Sequence, residues 1–178
     1  FLRFLFAAGW TAVDLSAAVP PVAAWHGTVL PKALAPEALA ALLAGCDRNT
    51  AGGRRDYAVL VLLSRLGLRA GEVAGLCLED IDWDAGEITV TGKGSRVERL
   101  PLPADVGEAI VDYLAHGRRQ TTDRHVFMAR LAPHGPMTRS SVKGVVRLGC
   151  DRAGIERVGP HRLRHSAATG MLRAVVAL

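Results

Sequence analysis

Two histidines and an arginine, His161, Arg164 and His165, stand at i, i+3 and i+4, so on a helix they share one face. Gly159-Pro160 precedes them, and proline suits a first helical turn because it has no N–H to lose there and its φ is preset. A helix start that carries histidine and arginine is an anion site: free N–H groups, the positive dipole end and guanidinium forks act together. Two further cations could serve the same anion. Arg69 lies in Leu66-Gly67-Leu68-Arg69-Ala70-Gly71-Glu72-Val73, a tight turn between a buried helix and a short one. Lys93 lies in Thr91-Gly92-Lys93-Gly94-Ser95-Arg96, at a hairpin tip whose glycines let the backbone approach a ligand closely. The chemistry this set could do is electrostatic: arginines hold a phosphate and stabilise charge on its oxygens without a metal. His161 and His165 lack the glutamate of His-Glu-x-x-His, and Arg162 and Arg164 repel a cation, so neither a metal nor a cofactor is expected.

The elements that must position these residues are readable from pattern. Phe1 to Gly9 reads as the end of a helix with an apolar stripe and Gly9 as its cap. From Trp10 to Pro36 the pattern breaks at Pro20-Pro21, Pro31 and Pro36, as in a linker. Pro36 opens a short amphipathic helix that ends at Gly45. Arg54 to Leu66 is almost entirely apolar, which predicts the buried central helix, with Gly67 ending it. A short helix follows, with Gly71 as N-cap and Glu72 favouring the dipole. Three short strands are expected around Leu76–Leu78, Glu87–Thr91 and Arg96–Leu100, the third open to a bulge because Val97 and Leu100 face opposite sides. Pro103 to Gly117 is amphipathic, Gly117 to Arg124 reads as a solvated basic loop, and Val126-Phe127 as a short strand. Thr138 or Ser140 caps a helix with Val142, Val145 and Val146 inward and Gly154 at its end. In the last helix Leu163, Ala167, Gly170 and Met171 read as the core side. The sum is an α+β chain, mainly α: a helical core with a small three-stranded antiparallel sheet.

Composition narrows the function. The 178 residues are 49% hydrophobic and 22% charged, the balance of a globular chain with a sizeable core. The longest apolar run, Ala58 to Leu63, is far too short to span a membrane, and no secretory signal is present. Cys46, Cys77 and Cys150 make neither a disulfide framework nor a zinc pattern, so they are expected reduced, in a cytoplasmic protein. Net charge is +5, mostly from arginine, which permits a nucleic-acid partner and suits bidentate phosphate contacts. The first residue is not Met, so the sequence is expected to start inside a longer gene product.

Taken together, Gly-Leu-Arg69-x-Gly-Glu72, Gly-Lys93-Gly and His161-x-Leu-Arg164-His165 resemble the motifs of the tyrosine recombinases, the phage-integrase family, in the right order. The resemblance implies the fold of DNA breaking-rejoining enzymes. It assigns residues 1–18 to the end of an N-terminal core-binding helical domain, 19–35 to a linker, and 36–178 to the catalytic domain. It makes Arg69, Lys93, His161 and Arg164 catalytic and Glu72 and His165 supporting, and it implies duplex DNA as partner, with self-association on DNA in the full-length form. The family's activity is site-specific recombination through a 3′-phosphotyrosyl intermediate. Only fourteen residues follow Arg164 and none is tyrosine, so the nucleophile is expected to be missing and the chain to bind DNA without cutting. Tyr57 and Tyr113 sit on apolar helical faces and read as core.

Blander readings stand beside these. Arg69 could merely cap a helix or pair with Glu72, and Lys93 could be a solvated loop lysine. Arg96 and Arg99 either touch DNA backbone or form a solvated strand face. The alternative function is a non-catalytic DNA-binding module or degenerate recombinase. A type IB topoisomerase relative is argued against by the short spacing and by His161, and a phosphatase using His161 as nucleophile is more remote.

Overall fold

The structure, a computed structural model, describes residues 2–18, 33–92, 94–132 and 134–176. The chain divides into two units, Phe1–Leu30 and Pro31–Leu178. In the first, helix α1 (Leu2–Ala7) exposes Phe4 and Phe6 and ends at Gly9, whose φ of +72° is the left-handed conformation that glycine supplies. A 3₁₀ turn follows at Leu15–Ala18. Residues 19–32 of the expected linker lie outside the described residues.

The second unit is organised around α3 (Ala51–Val61), which continues as a π turn at Leu62–Leu66. Thr50 caps α3 by accepting the Gly53 N–H at 3.0 Å, so the helix starts three residues before the predicted Arg54. Ala58 to Leu63 are all buried, as their uniform apolarity requires. The one break in that face, Ser64, is satisfied internally: its hydroxyl donates to the Leu60 carbonyl at 2.7 Å. Asp56, also buried, is held by Arg55 at 2.7 Å and Arg152 at 3.5 Å. Helix α5 (Ala104–His116) packs along α3, while α2 (Pro36–Ala44) and α4 (Ala70–Gly75) both pack on α6 (Arg139–Ala153). Helix α7 (Pro160–Val176) packs on the π turn. Helix α6 follows expectation, with Thr138 accepting the Ser141 N–H and Gly154 ending it at φ +64°.

Strands β1 (Ile81–Asp82), β2 (Glu87–Thr91) and β3 (Val97–Pro101) form the expected three-stranded antiparallel sheet in sequence order. The first strand begins later than predicted. The Asp80 carboxylate accepts the Cys77 N–H at 2.8 Å and rolls Leu78–Asp80 into a 3₁₀ turn, leaving Cys77 a single bridge to His125. No bulge interrupts β3. Its register runs unbroken from Glu87↔Pro101 to Thr91↔Val97, and Val97 breaks the alternation because it is 65% exposed. Val126 and Phe127 are fully buried but flanked only by isolated bridges, so they form no strand.

Two more expectations change. Arg118 is not solvated: its guanidinium donates to the carbonyls of Asp123, His125 and Val126 and ties down the loop after α5. On α7, Leu163 and Ala167 are buried, but Gly170 and Met171 are exposed, because the seventeen-residue helix outruns the five-residue turn it packs on. All three cysteines are free, with Cys46 and Cys150 buried and Cys77 half-buried. Among the described residues no helix is long and apolar enough to cross a membrane.

Replacing Thr138 by alanine removes a helix cap and is expected to cost about 1 kcal/mol, with Thr138→Ser near wild type. Gly67→Ala forces a side chain into the left-handed region and is expected to cost about 1–2 kcal/mol. Urea unfolding midpoints check both, and an unchanged midpoint in either alanine variant contradicts the local assignment.

Candidate functional site

The π turn ends at Gly67, with φ +64°, and this reversal carries the chain into Leu68, Arg69 and α4. Arg69, not Gly71, is the N-cap residue of α4, with extended backbone. An arginine side chain has no acceptor, so only one arm of a capping box forms. Glu72 supplies it: one carboxylate oxygen accepts the Arg69 backbone N–H at 2.7 Å and the other accepts Arg69 Nη1 at 2.6 Å. The Glu72 side chain is 7% exposed, while that of Arg69 is 55% exposed.

Helix α7 brings the second arginine. Leu163 and Ala167 seat it on the π turn, and a methyl group at Gly67 would lie 3.4 Å from Ala167 Cβ and 3.6 Å from Arg164 Cγ. That close approach sets Arg164 Nη1 4.0 Å from Glu72 Oε2. One sheltered carboxylate therefore faces two guanidinium groups, each keeping donors free for a ligand. Further anchoring comes from Ser166, whose hydroxyl accepts the Leu34 N–H at 2.8 Å and donates to the Arg162 carbonyl at 3.0 Å. His161 and His165 meet edge to face, Nε2 to Nε2 at 3.0 Å and ring centroids 4.4 Å apart. One of these nitrogens donates and the other accepts, so the bond cannot hold both rings protonated there. Among the described residues no third His, Cys, Asp or Glu joins them in a group that could hold a metal.

The β2–β3 hairpin closes one side. Gly92 donates its N–H to the Arg96 carbonyl at 2.7 Å, and a methyl group on Gly92 would lie 3.5 Å from both Arg69 Nη1 and Glu72 Oε1. Lys93, next in sequence, lies outside the described residues. Arg99 pairs across the ladder with Glu87 at 3.6 Å, and among the described residues Arg96 has no ion pair.

Arg69, Glu72, Gly92, His161 and Arg164 line one cleft of about 990 Å³. Four more basic residues line it that sequence reasoning missed. Arg139, Lys143 and Arg147 recur at i, i+4 and i+8 along the exposed face of α6, a spacing legible in the sequence. Arg157 is the fourth and is bound to Asp151 at 2.6 and 2.9 Å, contacts that lower the Asp151 carboxyl below its ordinary range. Neither tyrosine lines the cleft. Tyr113 is buried against Phe127, and burial pushes its phenol up, away from the ionised form a nucleophile needs. Tyr57 is half-buried beneath Arg48, 4.5 Å from its ring centre.

Residues 32–178 match the sequence profile of the Phage integrase family. The chain is 45% identical over 181 residues to y4rA of Sinorhizobium fredii (strain NBRC 101917 / NGR234), covering 100% of this chain and 44% of that protein. It is 36% identical over 179 residues to the tyrosine recombinase XerD of Mycobacterium tuberculosis (strain CDC 1551 / Oshkosh), covering 96% and 57%. The fold is shared with the crystal structure of XerA recombinase, at a TM-score of 0.71 and 22% identity over 97% of this chain and 59% of that one. The chain thus spans about half the length of the relatives it matches. A profile match over most of its residues, and these identities, establish that the chain belongs to the phage integrase family of tyrosine recombinases.

Proposed function

We propose that this chain is the phosphate-clamping part of a site-specific tyrosine recombinase acting on duplex DNA, and that residues 1–178 hold DNA without cutting it. The observation that carries the reading is the Glu72 carboxylate facing both Arg69 and Arg164 in one open cleft. The two guanidinium groups take the non-bridging oxygens of one phosphodiester and stabilise the charge that builds as phosphorus becomes five-coordinate. His161 hydrogen-bonds the same phosphate or moves a proton beside it. Lys93 is the acid that protonates the departing 5′-oxygen. The attacking tyrosine of the family is neither Tyr57 nor Tyr113. In the full-length form a tyrosine oxygen bonds to phosphorus as the bond to the 5′-oxygen breaks, and that form self-associates on DNA. A duplex partner is supported by the similarly folded XerH recombinase, solved bound to its difH substrate.

The exposed row Arg139, Lys143 and Arg147 adds backbone contacts along the same cleft. Gel shifts across a salt series are expected to show affinity falling steeply with salt, by about 0.9 logarithmic units per contacted phosphate. Changing all three α6 residues to glutamine flattens that slope by about 2.7 if each meets one phosphate. An unchanged slope removes α6 from the interface.

Residues 1–178 incubated with a nicked suicide duplex are expected to give no covalent adduct on a denaturing gel. An adduct would show that one of the two tyrosines reaches DNA. Glu72→Gln weakens the hold on both arginines, so the Nε–H resonances of Arg69 and Arg164 are expected to shift together. Movement of Arg69 alone would show that Glu72 serves one arginine only.

A further inference from the structure

Basic side chains in the second unit fall into two groups. Most have an acidic partner: Arg48 and Arg54 share Asp112, Arg55 and Arg152 share Asp56, Arg65 meets Asp105, and Arg124 meets Glu79. Among its described residues, the arginine and lysine side chains with neither a hydrogen bond nor an ion pair are Arg96, Arg119, Arg130, Arg139, Lys143 and Arg147. The last three line the phosphate cleft, and Arg96 sits where the hairpin beside it closes. The remaining two, Arg119 and Arg130, lie elsewhere. Both line a second cavity of about 430 Å³, together with His134.

This second cavity lies at the other end of the central helix. Its wall includes Gly52 in the first turn of α3, and the Arg130 side chain lies over that turn, its Cδ 3.5 Å from where a Gly52 methyl would sit. That turn contains no acidic residue, and although Thr50 takes the Gly53 N–H, those of Ala51 and Gly52 have no intrahelical partner. Behind it, Gly117 lets α5 close on α3, since a methyl group there would stand 3.1 Å from the Ala51 carbonyl oxygen. Tyr113 completes the floor, its hydroxyl accepting the Met128 N–H at 3.2 Å. Arg55 also lines the cavity, but it is bound to Asp56 and to the Met128 carbonyl. Asp56, the acidic group beside it, is already neutralised by Arg55 and Arg152. Two unpaired guanidinium groups and an imidazole thus share a concave surface that, among the described residues, no carboxylate lines. Like charges gathered this way repel one another, and an anion relieves that repulsion.

We propose that this cavity is a second oxyanion site, for a phosphate-type group, distinct from the recombinase cleft. Guanidinium forks and a helix start are the donors phosphate oxygens fit best. The sixteen residues of α3 and its π turn separate the two sites by about 24 Å. The phosphate could come from two sources, a backbone phosphodiester of duplex DNA or a free phosphate, and the same experiment tells them apart.

Residues 1–178 are titrated with inorganic phosphate and pyrophosphate while the Gly52 amide and the Arg119 and Arg130 Nε–H resonances are followed. Salt-dependent duplex binding is measured in parallel. Both arginines are exposed, so Arg119→Gln with Arg130→Gln should leave the urea midpoint unchanged, and Arg130→Lys, which keeps the charge, should retain the response. The expected result is a saturable shift in wild type that disappears in the double variant, while the Arg69 response in the cleft persists. A salt slope flatter by about 2 in the double variant, whether or not the wild type responds to free phosphate, identifies DNA as the source, provided that no phosphate response survives in the double variant. A lost phosphate response with an unchanged slope identifies free phosphate. A response that survives the double substitution, or neither a response nor a change in slope, overturns the proposal.

Discussion

The Glu72 carboxylate is the interaction on which the cleft depends. Two guanidinium groups gathered in one cleft repel each other, and a sheltered anion between them is the simplest remedy. Glu72 is placed for this because it lies in the first turn of α4, where its second oxygen also satisfies the backbone of Arg69. The same residue thus starts the helix, aims the first arginine and sits 4.0 Å from the second. Its near-complete burial strengthens these contacts, while the arginines stay open to a ligand on their outer edges.

That arrangement requires α4 and α7 to approach closely, and the end of α3 makes this possible. The π turn delivers the chain to Gly67, where the backbone takes the left-handed conformation and leaves no side chain in the way. Ala167 and Arg164 fill the space that a larger residue would claim. The hairpin also comes close: a methyl group on Gly92 would stand at contact distance, 3.5 Å, from both Arg69 Nη1 and Glu72 Oε1.

Much of this was legible in the sequence because it is local. Gly67, Thr138 and Gly154 announced helix boundaries by residue type, and Ile88 and Val90 alternated as a half-buried strand should. The grouping of Arg69, Glu72, His161 and Arg164 was suggested by motif, and the structure brings those four to one cleft. What was not legible depended on long-range packing or on unusual side-chain use. In the sequence Arg69 stands as a cap only in the blander reading, behind Gly71, because arginine cannot accept the bond that defines a cap. The π turn leaves no mark on apolar periodicity. Arg118 reads as a solvated loop residue until the carbonyls it binds are brought around it by folding. The α6 row of Arg139, Lys143 and Arg147 was visible as a spacing, but its relation to the cleft was not.

A structure of this chain bound to an uncleaved duplex examines the shared clamp directly. Donors from Arg69 and Arg164 should both lie within hydrogen-bond distance of the non-bridging oxygens of one phosphate, with Glu72 still facing both. The two arginines contacting different phosphates, or one of them turned away from DNA, would contradict it.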